Sequence, residues 1–182
     1  MNRRTEKDLW VEMSIREIST QAHFARLAFA NIDRKAIGGT DGVFSSIHSF
    51  FSHCAMVSKM LRANYQKDSK TIGMILKISD ASPIHKRKFR NSLEHYDQEL
   101  KKWIKKKGVN ISIGTYNVGP KSMIKVPNMV FVSHYDVNSN TYTFVEQDVS
   151  LNTLHSEVKR IKNKADEWVK LMQSGAKQQP FT

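Results

Sequence analysis

A mainly α protein, a four-helix bundle with a small antiparallel β insertion between its third and fourth helices, is the fold class this sequence predicts. Three observations lead to it. Apolar residues recur at four-then-three spacing over long segments before Gly108, which stacks them on one face of a helix. Beyond Gly108 the period becomes alternating in VNISIGTYNVG, NMVFVSHYD and TYTFVEQ, segments rich in β-branched and aromatic residues. From Ser150 the helical period returns. One domain spanning residues 1–173 follows, with the insertion over about 109–147 and a disordered tail over 174–182 that has nothing to pack.

The first helix is expected from about Glu6 to Asp33. Val11, Ile15, Ile18, Ala22, Ala25, Phe29 and Ile32 form one stripe, and Trp10, Met13, Phe24, Leu27 and Ala28 a second. Two apolar faces on one helix imply burial on both sides, in a bundle or against another subunit. Gly38 and Gly39 interrupt the pattern, and Thr40 or Asp41 can cap a second helix from about Gly42 to Asn64. Its face carries Phe44, Ile47, Phe51, Cys54, Ser58 and Leu61, widened by Val43, Phe50 and Val57. One or two helical turns are expected over Thr71 to Ile78.

The third long helix is predicted from Ser82 to Gly108. Ser82 reads as an N-cap, and Pro83 takes the first helical position, where its missing N–H costs nothing. Phe89, Leu93, Tyr96, Leu100, Trp103 and Ile104 form the stripe, and Gly108 supplies a left-handed stop. In the insertion, Gly119-Pro120 and Val137-Asn138-Ser139-Asn140 are turn signals that imply two or three antiparallel strands. The last helix carries Leu151, Leu154, Val158, Ile161, Ala165, Trp168 and Met172 on one face.

Lys and Arg total 29 against 17 Asp and Glu, a formal charge of +12 over 182 residues. Such a balance attracts polyanions, so RNA is a natural partner. Cys54 is the one cysteine, which excludes an internal disulfide and a cysteine-based zinc site and fits a reducing compartment. No segment has the run of about eighteen apolar residues a membrane span needs, and MNRRTEKDLW has no signal-peptide core, so a cytoplasmic protein is expected. His48 and His53, five apart, do not share a helical face, and no metal site or cofactor is expected.

Arg90-Asn91-Ser92-Leu93-Glu94-His95 is the stretch where residue types suited to phosphate chemistry come together. A guanidinium offers a planar fork to phosphate oxygens, an amide orients them, and imidazoles as a class exchange protons near neutral pH. Lys88, Lys102 and Lys106 lie near enough to hold a nucleic-acid backbone. On a straight helix at 100° per residue Arg90 and His95 stand roughly 140° apart, so convergence needs a bend or a second subunit. An arginine, an adjacent polar residue and a histidine at this spacing resembles the signature of the HEPN superfamily. The resemblance implies a helical bundle whose two copies pair around a composite cleft. It also implies a metal-independent endoribonuclease with Arg90, Asn91 and His95 as its catalytic residues, of the kind that serves as an effector in a toxin–antitoxin or phage-defence system with an antitoxin protein as partner. In such an enzyme the 2′-hydroxyl of RNA attacks the adjacent phosphorus, leaving a 2′,3′-cyclic phosphate and a 5′-hydroxyl.

Other readings of the same residues stand beside this one. Arg90 and Glu94 are an i, i+4 pair that serves a surface helix as an ion pair. Arg16 and His23 share the spacing, but on a helix that reads as buried on two sides. Lys101, Lys102, Lys105, Lys106 and Lys107 complement a helix C-terminus whether or not they meet RNA. A non-catalytic RNA- or nucleotide-binding helical module, or a structural dimer, therefore accounts for the composition as well as an enzyme does.

Overall fold

Helices and strands follow one another along the chain as the residues that can bury an apolar face alternate with those that break it. The computed structural model describes residues 4–32, 39–67, 69–86, 94–108, 112–123 and 129–174. In chain order the elements are α1 (Glu6–Ile32), α2 (Gly39–Leu61), a single-turn α3 (Ile72–Ile75), a 3-10 turn at Pro83–His85, α4 (Tyr96–Lys107), β1 (Ser112–Val118), a second 3-10 turn at Lys121–Met123, β2 (Met129–Asp136), β3 (Thr141–Phe144), β4 (Gln147–Ser150) and α5 (Leu151–Gln173).

The core gathers around α1, which packs against both α2 and α5. Val11, Ile15, Ile18, Ala22, Ala25, Ala28 and Ile32 are its buried face. The small alanines let the neighbouring helices approach closely. On the other face Met13, Phe24 and Leu27 stay exposed, joined by Leu9, while Ala28 of the second stripe is buried and Trp10 half-buried, so that stripe is left only partly covered within one chain. From α2, Phe44, Ile47, Phe50, Cys54, Val57 and Leu61 are buried, and α5 adds Leu151, Val158, Ile161, Ala165 and Trp168. The first, second and last helices thus appear where their periodicity places them.

The remainder corrects the expected architecture. A four-helix bundle with a small antiparallel insertion is not what forms. Among the described residues, three long helices and two short ones pack with a four-stranded mixed sheet of order β1-β2-β3-β4. β1 pairs with β2 in parallel, from Ser112 opposite Met129 to Val118 opposite Tyr135, while β2-β3 and β3-β4 are antiparallel. The reason lies in the connection. Gly119-Pro120 reads as a hairpin turn, yet Gly119 donates its N–H to Tyr135 O at 3.0 Å, and the chain travels ten residues (119–128) before β2 begins. That length can return the chain to the starting end of the sheet, as a parallel pair requires.

The expected helix over 82–108 is also interrupted. Ser82 caps, and Pro83 begins, only a 3-10 turn; Lys86 then takes an extended backbone, φ −67° and ψ 94°. α4 starts at Tyr96, with His95 (φ −112°, ψ 41°) at its N-cap position and Gly108 (φ 78°) ending it. The apolar residues Phe89 and Leu93 of the predicted stripe lie outside the described residues, as do the tail from 175 on and the segments 109–111 and 124–128 of the insertion.

One face of the sheet lies on the helices. Ser133 and Tyr135 of β2 stand opposite Phe144 and Tyr142 of β3, and the Tyr142 ring meets Phe44 and Phe51 of α2 at 6.0 and 5.7 Å between centroids. The Tyr142 hydroxyl donates to Ser133 Oγ at 3.2 Å, which satisfies both buried oxygens. The β3-β4 hairpin turns through Val145 and Glu146, both at positive φ (40° and 68°). Two-residue hairpin turns of this hand favour Asn and Gly, and a β-branched valine there is strained. α3 sits against α2 through Gly73, where an added Cβ would stand 2.9 Å from the Leu61 carbonyl oxygen. Gly73→Ala is accordingly expected to lower unfolding free energy by about 1–3 kcal/mol in urea titration, because a backbone atom must move to admit it. Among the described residues, no helix is long and apolar enough to cross a membrane.

Candidate functional site

Between the middle of α2, the turn at Pro83–His85, the start of α4 and strand β4 lies a cleft of about 790 Å³. That volume is within the range of small-molecule sites, roughly 300–1,000 Å³. α2 contributes His48, Phe51 and Ser58 to its wall because spacings of three and seven residues, about one and two turns, keep them on one side of the helix. Lys86 enters from the 3-10 turn, Glu94 and Tyr96 from the start of α4, and Glu146 and Asp148 from the β3-β4 hairpin. The Tyr96 ring leans on Phe144 with centroids 5.2 Å apart, which fixes one aromatic face at the cleft.

One carboxylate of the cleft is held by lysines of α4. Glu146 binds Lys107 and, at 3.1 Å, Lys106, and these lysines hold its carboxyl below the usual glutamate range. Desolvation lowers the pKa of His48, so its neutral form is favoured. Burial pushes the Cys54 thiol far up, which leaves it a small apolar side chain and no nucleophile. Behind the wall, Arg62 Nε donates to His85 Nδ1 at 3.2 Å, with Ser58 Oγ also 3.2 Å away. An arginine nitrogen can only donate, so Nδ1 is the unprotonated atom of that ring. The Ser82 hydroxyl donates to Glu157, which Arg160 grips at 2.8 and 2.6 Å; the turn is thereby tied to α5. This pairing, with Arg160 the largest influence, lowers the Glu157 pKa.

The sequence-derived site residues are placed unevenly. His95 is exposed, makes no side-chain cap bond, and stands between Glu94 and Tyr96, both in the cleft wall. Arg90, Asn91 and Lys88 lie outside the described residues. Because the backbone leaves helical geometry at both Lys86 and His95, no single straight helix from 82 to 108 sets Arg90 and His95 on opposite flanks. Lys102 and Lys106 are exposed on α4, Lys102 bonded to Glu99 at 2.7 Å and Lys106 to Glu146. Of the alternative pair, Arg16 bonds Glu12 at 2.8 Å on α1, the partner one turn away that helix spacing provides. Among the described residues, no three His, Cys, Asp or Glu side chains gather as metal ligands.

Three comparisons bear on kinship. No family model, curated protein or solved structure matches this chain. Function therefore has to come from the cleft and its residues. Sequence reasoning missed His48, Glu146 and Asp148 as cleft residues, since nothing local marks a polar residue on an apolar helix or in a short strand as facing a cavity. Tyr96 was legible only as part of a core stripe. Its partial exposure, 38%, follows from its place in the first turn of α4, at the cleft mouth.

Proposed function

We propose that the protein binds RNA at this cleft and cleaves it without a metal ion, His95 being the group that moves the proton. The observation that carries the reading is the exposed imidazole of His95, not engaged as a helix cap and next in the chain to Glu94 and Tyr96, which line the cleft. In the reaction the 2′-oxygen loses its proton and bonds to the adjacent phosphorus, the bond from phosphorus to the 5′-oxygen breaks, and that oxygen takes up a proton. Arg90, with Asn91, neutralises charge on the phosphorane. Lysines of α4 attract the backbone, and Tyr96 offers a ring against which a base can stack. Two copies acting together suit the exposed stripe of Leu9, Met13, Phe24 and Leu27 on α1.

A second reading is favoured by the carboxylates Glu94, Glu146 and Asp148 in the cleft wall, which repel phosphate but accept hydrogen bonds from base edges. In that case the protein is a non-catalytic RNA- or nucleotide-binding module. Incubating the protein with RNA in EDTA separates the two: appearance of 2′,3′-cyclic phosphate ends supports the nuclease, and retention of intact RNA on the protein supports the module. Absence of both binding and cleavage defeats the two together. Pairing of copies through α1 is checked by sedimentation of a Met13→Glu, Leu27→Glu double variant. Half the wild-type mass is expected, and an unchanged mass removes the α1 stripe from the interface.

A further inference from the structure

Two anchors show that α1 and α5 run side by side in opposite directions. The Ser19 hydroxyl donates to Asp166, and the Phe29 ring stacks on His155 with centroids 3.9 Å apart and planes 5° from parallel. Arg26 precedes Phe29 by one helical turn and Lys159 follows His155 by one, so both cations come to the same stretch of the seam. Arg26 and His155 are half-buried there, and Lys159 is exposed. Burial lowers the pKa of His155, and the nearby charges of Arg26 and Lys159 lower it further; among the described residues no carboxylate counters them.

The carboxylates of the two helices are engaged elsewhere. On α1 Glu12 is bound by Arg4 and Arg16, Glu17 accepts from Gln21, and Glu6 and Asp8 lie at the opposite end. On α5 Arg160 grips Glu157 and Lys162 holds Asp166, while Glu167 stands about 12 Å along the helix from Lys159. From α2 the group against Phe29 is the uncharged ring of Phe50. Asp33, Arg34 and Lys35 lie outside the described residues. Neither Arg26 nor Lys159 has an ion-pair partner among the described residues. Two like charges beside a half-buried imidazole repel one another more strongly than they would in open water, and an anion between them removes that cost.

We infer that this seam seats one phosphate group, gripped by Arg26 and Lys159 with the His155 ring as a further donor. Arginine and lysine only donate, so the occupant needs acceptors alone, and the guanidinium fork suits phosphate oxygens. A bound anion also favours the protonated imidazole, which adds a third charge to the grip. The seat is separate from the cleft, and its phosphate comes either from an RNA backbone or from a free phosphate group.

The test follows the His155 imidazole proton resonance of the full chain, identified by its loss in His155→Gln, through a pH titration at constant ionic strength. Inorganic phosphate is expected to raise the His155 midpoint by about 1 unit, and acetate is not. In the Arg26→Gln, Lys159→Gln double variant the midpoint starts higher, because the repelling charges are gone, and the rise with phosphate disappears. Should the double variant melt early, Lys159→Gln alone, at an exposed position, is expected to show a smaller rise than wild type. No rise with phosphate, an equal rise with acetate, or the full rise retained in the variants overturns the seat. An RNA oligonucleotide identifies the source. A slope of log affinity against log salt that is shallower by about 0.7 in the double variant assigns one backbone phosphate to the seat. An unchanged slope beside an intact response to inorganic phosphate assigns a free phosphate group. If no oligonucleotide binds, the RNA reading falls and inorganic phosphate alone decides the seat.

Discussion

Replacing His95 with alanine is expected to abolish RNA cleavage in EDTA, by a factor of about 10²–10⁴, while the melting temperature stays unchanged. The side chain is exposed and makes no cap bond, so its removal takes away no packing and no helix-end partner. Substitutions of that kind ordinarily fall within about 0.5 kcal/mol in stability. Arg90→Ala is expected to reduce cleavage to a comparable degree, since charge on the phosphorane and proton transfer at the 2′-oxygen belong to the same step. RNA affinity in the two variants distinguishes their roles: Arg90→Ala weakens binding, whereas His95→Ala leaves it near wild type. Cleavage within tenfold of wild type in His95→Ala would remove that imidazole from the chemistry and leave the binding module as the reading.

Phe50→Ala carries the largest expected effect on stability, a loss of about 3–5 kcal/mol measured by urea unfolding. Phe50 is fully buried in the middle of α2, with its ring centroid 5.6 Å from Phe29 of α1 and 5.7 Å from Phe51. Deleting it leaves a void at the seam between α1 and α2, where backbone helices on both sides prevent collapse. A domain stable by only about 5–15 kcal/mol would then retain a fraction of its margin. Phe51→Ala, at a half-buried cleft position, is expected to cost less. A smaller loss in Phe50→Ala than in Phe51→Ala would show that the packing seam lies elsewhere.

These two residues also mark how far the sequence could be read. The stripes of α1, α2 and α5 were legible because each is long enough for the helical period to repeat many times, and core positions such as Ile15, Ile47 and Ile161 follow directly from it. Phe50 was legible only as a widening of the α2 face, although it is more deeply buried than Phe51, because the width of a helical face depends on what packs against it. The parallel pairing of β1 with β2 was not legible. Alternation indicates strands but says nothing of direction, and Gly119-Pro120 suits a hairpin as well as the start of a longer connection. The interruption before α4 was hidden for a different reason. Ser82-Pro83 is a sound helix start by local chemistry, yet a cap cannot dictate how many turns follow it, and here the 3-10 turn it opens ends at His85. For the candidate site, Arg90, Asn91 and His95 were visible as a spaced motif, while the cleft lined by Glu94 and Tyr96 depends on β4 and α2 meeting the start of α4, a matter of tertiary packing.

Ser150 is the last residue of β4 and also the N-cap of α5, its hydroxyl accepting the Thr153 N–H at 3.3 Å. No slack chain separates the hairpin from the 23-residue helix that helps build the core. Glu146 and Asp148, in the wall of the cleft, are therefore mounted on the end of a rigid lever. An occupant that shifts the hairpin has to turn α5 as well or be refused, so occupancy and global cooperativity become a single quantity. Amide hydrogen exchange should register a bound ligand along α5 as far as Trp168, well beyond any residue the ligand touches.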